Sequence, residues 1–407
     1  MRVLLISHSC AMRTEGQPKA QLLGRMPGVE LRVVIPHYWN HYGRDDRPGE
    51  PPAAGASFEC DLKRVCLRWL GPVGWYLHWY PGLGDTIGKF QPDVIDIWEE
   101  PWGAVSAHTV WLRNQLCPHA RIVTETEQNI CKSLPFPFER FRSYTLRNAD
   151  YAVARNEEAA GVLRTKGFKG PVEVVPNAVD ADLFHPLAET DREAARRELG
   201  FEGFVAGYVG RLVPEKGLTD AIDALAHCPP GVRIMFLGNG PTRQELEQRA
   251  AAAGVSQRVM FLAARPLGEL PRIMSAMDAL VLPSRTTPQW KEQFGRVIIE
   301  AQACHTPVVG SDSGAIPDVV GMGGTIFPEG DVKALAAALT RLAADPAEVR
   351  RLGAIGREQV ERSYTWRRVA ERMAAIYSKV VGNGHASGYD RLETRQSEIS
   401  HGMAIAK

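Results

Sequence analysis

Two glutamates, Glu292 and Glu300, bracket the predicted start of a helix in the second half of the chain. An apolar run that ends at Pro283 predicts a buried strand, and the stretch from Phe294 to Cys304 predicts a helix that opens at Gly295. The free N–H groups of a helix start bind hydroxyl or phosphate oxygens, and the helix dipole favours a carboxylate just before them. Taken alone, however, the pair is better explained as a helix cap and a solvated charge.

A second strand–loop–helix unit carries fixed positive charge. The strand predicted at residues 204–209 leads into the loop 210–217, which contains Arg211 and Lys216. Such a unit is a usual place to hold a diphosphate, because backbone N–H groups and cations converge on it. The alternative is that both residues are ordinary surface cations. A Gly-x-Gly at residues 238–240, after the next predicted strand, is by itself only a weak sign of a ligand.

The run from Glu292 to Ala301, followed by residues 307–314, resembles the donor-site signature of the retaining glycosyltransferases of family 4, also called group 1 glycosyl transferases. The resemblance covers about the C-terminal half in detail and the N-terminal half in outline. It implies an α/β protein of the GT-B fold, with two facing Rossmann-like domains and a cleft between them. It also implies a C-terminal helix that crosses back onto the first domain.

The resemblance also implies roles for individual residues. The catalytic residues would be Arg211, Lys216 and Glu292: the two cations stabilise the departing diphosphate, and the carboxylate holds sugar hydroxyls. Glu300 would bind the ribose hydroxyls. The full set of donor-binding residues is Gly210, Gly238, Gly240, Arg265, Phe294, Gly295 and Glu300.

The acceptor is expected in the N-terminal domain, at the carboxyl ends of strands, where doubly wound sheets bind ligands. Glu99 and Glu100 follow one predicted strand, although a solvated loop explains them equally well. Many relatives carry a histidine after the strand at 121–126, whereas this chain has an acid and two amides at 127–129, so we assign no histidine-based role there. His108 is interpreted as a residue on the face of a helix. The acceptor-binding candidates are Gly16, Glu99, Glu100, Trp102, Gln128 and Asn129.

Length and composition favour two soluble globular domains. The chain has 407 residues, a length that exceeds what one core usually holds. Its residues are 44% hydrophobic and 23% charged, as in soluble globular proteins. A net charge of +1 gives no general attraction to nucleic acid. The first apolar run is too short for a signal peptide, and no stretch is long enough to span a bilayer. The seven cysteines are scattered and odd in number, so we expect reduced thiols and a cytoplasmic protein.

We place the domains at residues 1–190 (acceptor binding) and 191–365 (donor binding), with the crossing helix at 366–381 and a disordered tail at 382–407. The charged stretch 180–198 is interpreted as a connector, in which Asp180 and Asp182 signal a turn and not a metal site.

An aromatic-rich segment lies at residues 67–81. Packing in the core and between helices is the favoured explanation. If the segment is partly exposed, it would suit a lipid-linked or glycolipid acceptor and a peripheral contact with the inner face of a membrane.

The resulting expectation is a metal-independent, cofactor-free enzyme that moves a hexose-type sugar from a nucleotide sugar to an acceptor hydroxyl with retention of configuration. The acceptor would be a glycan, a glycolipid or a small molecule. A nucleotide-sugar epimerase of the same fold and a non-catalytic nucleotide-sugar-binding homologue are the alternatives. An NAD-dependent oxidoreductase ranks last, because no complete Gly-x-Gly-x-x-Gly follows the first strand. The sequence does not assign the sugar, the base, the acceptor or the oligomeric state.

Overall fold

The computed structural model describes residues 1–40, 46–66 and 72–382, which form two lobes, each built on a parallel sheet. The strands of the first lobe are β1 (Arg2–Ile6), β2 (Glu30–Pro36), β3 (Tyr38–Asn40), β4 (Asp46–Pro48), β5 (Glu59–Lys63), β6 (Val94–Ile97), β7 (Arg121–Thr126), β8 (Tyr151–Ala154) and β9 (Val172–Val174). β3 and β4 form a separate antiparallel pair, and the others form one sheet in the order β5-β2-β1-β6-β7-β8-β9. The direction of strand addition reverses beside β1, which creates a topological switch point.

The first strand shows why this sheet is covered on both faces. Val3 and Leu5 pack into one apolar cluster. Leu4 and Ile6 pack into another. Because successive side chains of a strand point to opposite faces, the two clusters lie on the two sides of the sheet. The uninterrupted apolar run is therefore that of a strand buried between layers of helices. The helices of this lobe are α1 (Gln17–Leu23), α2 (Pro72–Leu77), α3 (Leu83–Phe90), α4 (Ala104–Leu116), α5 (Phe138–Asn148) and α6 (Glu157–Thr165).

The second lobe repeats the alternation around a six-stranded parallel sheet. Its strands are β10 (Phe204–Val209), β11 (Val232–Leu237), β12 (Val259–Leu262), β13 (Ala279–Leu282), β14 (Val308–Ser311) and β15 (Gly324–Phe327), in the order β12-β11-β10-β13-β14-β15. Its helices are α7 (Glu189–Leu199), α8 (Leu218–Ala226), α9 (Arg243–Ala252), α10 (Leu270–Ala276), α11 (Arg296–Ala303), α12 (Ile316–Val320), α13 (Val332–Ala344) and α14 (Pro346–Ser363). The switch point of this sheet lies beside β10. The predicted pair of Rossmann-like units is confirmed.

The last helix, α15 (Trp366–Gly382), belongs by its packing to the first lobe. Met373 and Ile376 on its apolar face share a core cluster with Val3 of β1. The Tyr377 hydroxyl donates a hydrogen bond of 2.6 Å to Asp96 of β6. The predicted crossing back onto the first domain is therefore confirmed, whereas the predicted tail lies outside the described residues from position 383 onward.

The helix that carries Glu300 differs from the sequence-based prediction at its start. The helix expected from Phe294 begins at Arg296, because Gly295 takes a left-handed conformation (φ 77°) and ends the preceding loop. Phe294 therefore belongs to that loop, where its buried ring packs against Tyr364 with the ring centres 5.9 Å apart.

The charged stretch 180–198 is not a simple connector, because it contains most of α7. Arg192 and Arg196 of this helix pair with Asp278 at 2.7 and 2.9 Å, which binds the helix to the second lobe. The charges therefore reflect a partly exposed helix. The predicted turn is present at Asp180, whose carboxylate accepts hydrogen bonds from the N–H groups two and three residues on.

The aromatic segment at 67–81 divides between core and surface. Residues 67–71 lie outside the described residues. Tyr80 is completely buried, whereas 40% of Tyr76 and 43% of Trp79 is exposed. Core packing therefore explains only part of the segment. No helix in the described part of the chain is long and apolar enough to cross a bilayer. Contact of this lobe with a membrane stays a prediction.

Candidate active site

The two lobes face each other across a cleft that contains a cavity of about 470 Å³. Side chains that follow β1, β6, β7 and β8 form most of its first-lobe wall, and residues 292–296, which end with the first residue of α11, form the opposite wall. Open α/β sheets bind ligands at this position, because neighbouring strands end there at a switch point. The cavity and the adjoining second-lobe loops are therefore the candidate active site.

Lys216 and Glu292 meet at the second-lobe side of the cleft. Lys216 ends a short 3-10 turn after β10, and Glu292 lies in the loop between β13 and α11. The Lys216 Nζ lies 2.5 Å from the Glu292 Oε2, which also accepts a hydrogen bond of 3.1 Å from the Ser284 hydroxyl. The same ammonium lies 4.7 Å from the centre of the Trp290 ring. The structure thus brings together a cation and a carboxylate that the sequence analysis assigned to one site.

The backbone of Glu292 is held as firmly as its side chain. Its carbonyl accepts hydrogen bonds from the Ala315 N–H at 3.1 Å and from the Asn129 side chain at 3.0 Å. Gly314 makes this contact possible, because a Cβ there would lie 2.1 Å from the Glu292 carbonyl oxygen. The loop after β14 therefore fixes the position of the carboxylate.

Arg211 extends into solvent from the loop after β10. Half of its side chain is exposed, and its nearest acidic partner is Glu215 at 4.0 Å. The buried Tyr208 hydroxyl donates to the Arg211 carbonyl at 2.8 Å and so anchors the loop without restraining the guanidinium. Among the described residues, Arg211 makes no ion pair with Glu292, so these two predicted residues share a lobe but not a contact.

Glu300 lies one turn into α11 and is half-buried. Burial raises the pKa of its carboxyl; Arg296 partly offsets this, and Glu15 of the first lobe adds to it. Glu300 itself is not part of the cavity lining, whereas Arg296, one turn earlier in the helix, is. The pKa shift of Glu300 is that of a carboxylate without a strong cationic partner.

Two predicted donor-binding glycines, Gly238 and Gly240, are also required by packing. A Cβ at Gly238 would lie 1.9 Å from the Gly210 carbonyl oxygen, and one at Gly240 would lie 2.0 Å from that of Leu212. The loops after β10 and β11 therefore press against each other, which explains these glycines without a ligand. Arg265 follows β12, has 46% of its side chain exposed, and lies 3.8 Å from Glu269.

His8 and Glu99 form a paired unit in the first-lobe wall. One Glu99 oxygen accepts from the His8 backbone N–H and the other lies 2.6 Å from the His8 Nδ1. Burial lowers the pKa of His8, but the Glu99 carboxylate, with Glu127 and Glu15, raises it overall. Burial raises the pKa of Glu99, but the His8 imidazole more than offsets this, so the pKa of Glu99 is lowered overall. The His8 ring also stacks on Trp39, with the centres 4.8 Å apart.

Glu100 accepts hydrogen bonds from neutral donors, the Thr126 hydroxyl at 2.6 Å and the Glu127 N–H at 2.8 Å. Burial raises the pKa of its carboxyl to about 7; these hydrogen bonds lower it, and the Glu127 carboxylate raises it further. A carboxylate in this position has no neighbouring cation strong enough to restore its ordinary pKa.

A buried charge network lies beneath this wall. Lys19 Nζ lies 2.5 Å from Glu125 and 3.5 Å from Asp96. Arg155 also pairs with Glu125. Burial and the Glu125 carboxylate raise the pKa of Asp96. Burial also raises the pKa of Glu125, but Arg155 and Lys19 offset this, so that the pKa of Glu125 is lowered overall. Trp98 lies between the two cations, 4.2 Å and 5.4 Å from them.

The structure separates the remaining acceptor candidates. Trp102 and Gln128 line the cavity, as Glu99 and Glu100 do, whereas Gly16 and Asn129 are not part of its lining. A Cβ at Gly16 would lie 2.6 Å from the backbone of the preceding turn, so this glycine serves close packing.

The loop that carries Glu292 is tied to the first lobe at several points. The Asn156 side chain donates to the Gln293 carbonyl. Lys291 forms an ion pair with Glu158 of α6, and Asn129 also donates to Glu158 at 3.1 Å. The segment before α11 is therefore held by both lobes at once.

Several cavity-lining side chains were not among the sequence-based candidates, although His8, Trp98, Glu127 and Arg155 lie within two residues of the end of a strand. That position was the available signal, but it does not distinguish one loop side chain from the next. They are His8, Glu15, Tyr76, Trp98, Glu125, Glu127, Arg155 and Trp366.

Within the described ranges, no three His, Cys, Asp or Glu side chains converge in a way that could hold a metal ion. The cysteines are free thiols: Cys10, Cys60, Cys66, Cys117, Cys131, Cys228 and Cys304.

Comparisons with known proteins agree with this architecture. A family model described as glycosyl transferases group 1 matches residues 191–359. The chain is 30% identical over 377 residues to a D-inositol 3-phosphate glycosyltransferase of Segniliparus rotundus, covering 88% of this chain and 77% of that protein. It is 32% identical over 248 residues to a 2-deoxystreptamine glucosyltransferase of Streptomyces kanamyceticus, covering 59% and 63%. The crystal structure of Anabaena HepE in complex with UDP superposes with a TM-score of 0.69 at 21% identity, covering 93% of this chain and 100% of that one.

These likenesses extend over both lobes. The family model covers the lobe that carries Lys216 and Glu292, and the Segniliparus relative extends the similarity over most of the chain. The HepE superposition shows the same two-lobed fold. The chain therefore belongs to the group 1 glycosyl transferases of family 4, glycosyltransferases with the GT-B fold.

Proposed function

We propose that this protein transfers a hexose-type sugar from a nucleoside-diphosphate sugar to an acceptor hydroxyl, with retention at the anomeric carbon and without a metal ion. The observation that carries the proposal is the contact of 2.5 Å between Lys216 and Glu292 at the edge of the cleft. It offers a cation for a phosphate and a carboxylate for a sugar hydroxyl within the span of one hexosyl phosphate.

The difficulty of the reaction is the charge that develops on the leaving diphosphate. In the proposed step, the bond from the anomeric carbon to the phosphate oxygen breaks, and the acceptor oxygen bonds to the same face of that carbon. The acceptor proton passes to the leaving phosphate oxygen. Lys216 and Arg211 would offset the new charge, helped by the N–H groups at the start of α11. The metal-independent part of the proposal rests on these fixed donors.

The second-lobe acids would hold the rest of the donor. Glu292 would accept hydrogen bonds from sugar hydroxyls once Lys216 turns to the diphosphate. Glu300, which lies one turn into α11, would accept hydrogen bonds from the ribose. Gly210, Gly238 and Gly240 would let the backbone approach the diphosphate, and Phe294, Gly295 and Arg265 would complete the donor site.

The relatives support the class of substrates. HepE is described in complex with UDP, which is the nucleotide part of such a donor. The names of two sequence relatives specify cyclic polyols as acceptors, inositol phosphate in one and 2-deoxystreptamine in the other. We therefore propose a cyclic polyol acceptor bound at the first-lobe wall by Glu99, Glu100, Trp102 and Gln128.

The test combines donor binding with transfer. Nucleoside diphosphates and sugar nucleotides should raise the melting temperature, because they bind the folded state only. With a polyol acceptor, wild type should form a product whose anomeric configuration matches the donor, as measured by NMR, and a chelator should leave the rate unchanged.

The variants Lys216→Ala and Glu292→Ala should lose transfer by roughly 10²- to 10³-fold, the usual cost of a lost transition-state donor. Lys379→Ala, which removes an exposed lysine that is not part of the cavity lining, should behave as wild type. Wild-type turnover by the first two variants would contradict the assignment. Turnover of the sugar nucleotide without any acceptor would instead indicate an epimerase.

A further inference from the structure

The first-lobe wall of the cleft carries more carboxylates than cations. Five glutamates line this side of the cavity, whereas its basic side chains are His8 and Arg155. The glutamates are Glu15, Glu99, Glu100, Glu125 and Glu127. This wall is where the proposed function places the acceptor, so its charge bears directly on which acceptors can bind.

Each basic side chain that lines the cavity already faces a carboxylate. Arg155 pairs with Glu125 and lies 3.6 Å from Glu127. His8 is held by Glu99. On the opposite wall, Arg296 lies close enough to Glu300 to lower the pKa of that carboxyl.

A phosphorylated acceptor would need cations or several free N–H donors. It would have to displace these pairs and would meet the surplus of negative charge. The cavity is therefore unsuited to an anionic acceptor.

Glu100 and Glu127 are the carboxylates whose charge is least compensated. Glu100 accepts from neutral donors, and the two carboxylates are close enough for Glu127 to raise the pKa of Glu100. Glu127 has 42% of its side chain exposed, and its ion-pair distance to Arg155 is long. Two neighbouring like charges repel, and a cation placed near both removes the repulsion.

The aromatic lining indicates what kind of cation fits. Tyr76, Trp102 and Trp366 also line the cavity. A metal ion requires converging oxygen or nitrogen ligands, and no such group occurs in the described part of the chain. Indole and phenol rings instead suit the apolar faces of a sugar-like ring and attract ammonium groups. Carboxylates and aromatic rings together match an organic amine with hydroxyl groups.

We infer that the acceptor is a cyclic polyol that carries at least one protonated amino group, which Glu127 and Glu100 hold while a hydroxyl of the same ring attacks the donor. The inference rests on the proposed function, since it names the class of acceptor for that reaction. It assigns the amino group a binding role only: the new bond is formed by a hydroxyl oxygen, as in the step described above.

The test compares three acceptors of similar ring structure, one cationic, one neutral and one anionic, in each of two series. The first series is 2-deoxystreptamine, myo-inositol and inositol 3-phosphate, and the second is glucosamine, glucose and glucose 6-phosphate. Transfer from the best-binding sugar nucleotide is measured as kcat/KM. Wild type should use the best amine at least tenfold better than the neutral ring, and the phosphorylated ring least. Raising the ionic strength should reduce the advantage of the amine, because screening weakens charge attraction.

Two variants identify the residues responsible. Glu127→Gln and Glu100→Gln should each lower kcat/KM for the amine by about tenfold, the expected effect of losing one charge partner, and this loss should exceed the loss for the neutral ring. Glu193→Gln removes an exposed acid of α7 and should leave the ranking unchanged. Both substitutions preserve the shape of the side chain, and the nucleotide-induced rise in melting temperature reports whether each variant is folded.

Three outcomes would overturn the inference. They are equal or better use of the phosphorylated rings, an unchanged preference in both glutamine variants, and donor hydrolysis by wild type with no transfer to any amine. Failure of every nucleotide to bind would instead count against the proposed function, and the melting-temperature measurement distinguishes that case.

Discussion

The Asn129 side chain of the first lobe donates a hydrogen bond of 3.0 Å to the main-chain carbonyl of Glu292 in the second lobe. The two residues are 163 positions apart in the chain. Asn129 is almost completely buried, and its amide also reaches Glu158. A residue that follows β7 therefore helps to position the carboxylate proposed to hold the donor sugar. Asn129 was a candidate for acceptor binding, but its contacts indicate that it connects the lobes.

The variant Asn129→Ala tests this connection. It should lower kcat/KM for the donor about five- to tenfold, because the lost hydrogen bond contributes about 1 kcal/mol to holding the Glu292 loop in place. Steady-state kinetics with varied donor would measure the effect.

The matched control for this variant is Asn114→Ala, which removes amide hydrogen bonds to Tyr144 and Asn148 within the first lobe. It should change stability by a similar amount and leave the kinetics unaltered. Equal kinetic losses in both variants would show that Asn129 acts only through stability.

Gly314→Ala tests how closely the Glu292 carbonyl must be approached. The new Cβ would lie 2.1 Å from that oxygen, so the loop has to move. A shift of about 1 Å in a positioning group costs on the order of 10²-fold in rate. We expect a loss of that size in transfer by a protein that is still folded, as judged by circular dichroism.

Gly254→Ala is the appropriate comparison for this variant. Gly254 also has a positive φ (67°), but no neighbouring atom lies within 4 Å of the added carbon. It should therefore show only the backbone cost, about 1–2 kcal/mol of stability, with normal transfer. If Gly314→Ala keeps normal transfer as well, the loop tolerates movement and the tight placement of Glu292 is not needed.

The strands of this fold could be predicted from the sequence more closely than its contacts between lobes. The strand at 204–209 was predicted with its observed bounds, because turn residues lie at both ends of its apolar run. Strand β5 was not predicted. Its sequence, Glu-Cys-Asp-Leu-Lys, is charged because it forms the edge of the sheet, and its pairing with β2 depends on distant residues.

The site shows the same division between local and distant information. The family resemblance already assigned Lys216 and Glu292 to one site, and the two side chains are in contact in the structure. His8 and Glu127 were not predicted, because a polar residue after a strand is equally common in loops without a ligand. Only the placement of one strand beside another shows which of these side chains reach a common cavity.

The variant Tyr377→Phe tests how the last helix is attached. Its hydroxyl donates to the buried Asp96 carboxylate at 2.6 Å. Removing a hydrogen bond to a charged group costs about 1.5–3 kcal/mol, so we expect a loss of roughly 2 kcal/mol in the free energy of unfolding by urea. Tyr151→Phe, which removes a hydrogen bond of 3.2 Å to the partly exposed Glu173, should cost less than about 1 kcal/mol.

The cost of Tyr377→Phe should also depend on pH. Burial and Glu125 raise the pKa of Asp96, and the Tyr377 hydroxyl partly counteracts this by favouring the charged form. The native state therefore loses stability as pH rises from the ordinary pKa of Asp96 through its raised value, and it loses more without the hydroxyl. The variant should be further below wild type at pH 8 than at pH 5. A pH-independent difference would mean that Asp96 keeps one ionisation state between pH 5 and pH 8 in the folded protein.

The ionisation of Glu100 should govern the pH dependence of acceptor binding. Burial raises its pKa to about 7, with a further contribution from Glu127. Below that pH the carboxyl is protonated and neutral, and above it the negative charge can attract an amine. The KM for an amine acceptor should therefore rise several-fold, up to about tenfold, between pH 8 and pH 6. Steady-state kinetics across this range, with a neutral polyol as reference, would measure the change.

Glu100→Gln separates this effect from that of His8. His8 also has a raised pKa, and its protonation at low pH would oppose an amine in the same direction. In the variant only the His8 contribution remains, so the KM should be high at pH 8 and change little on acidification.

A carboxyl with a raised pKa also destabilises the fold as pH rises from about 4.5 to about 7, so the variant should gain stability over wild type in that range. A KM profile for Glu100→Gln that matches wild type would assign the pH dependence to His8.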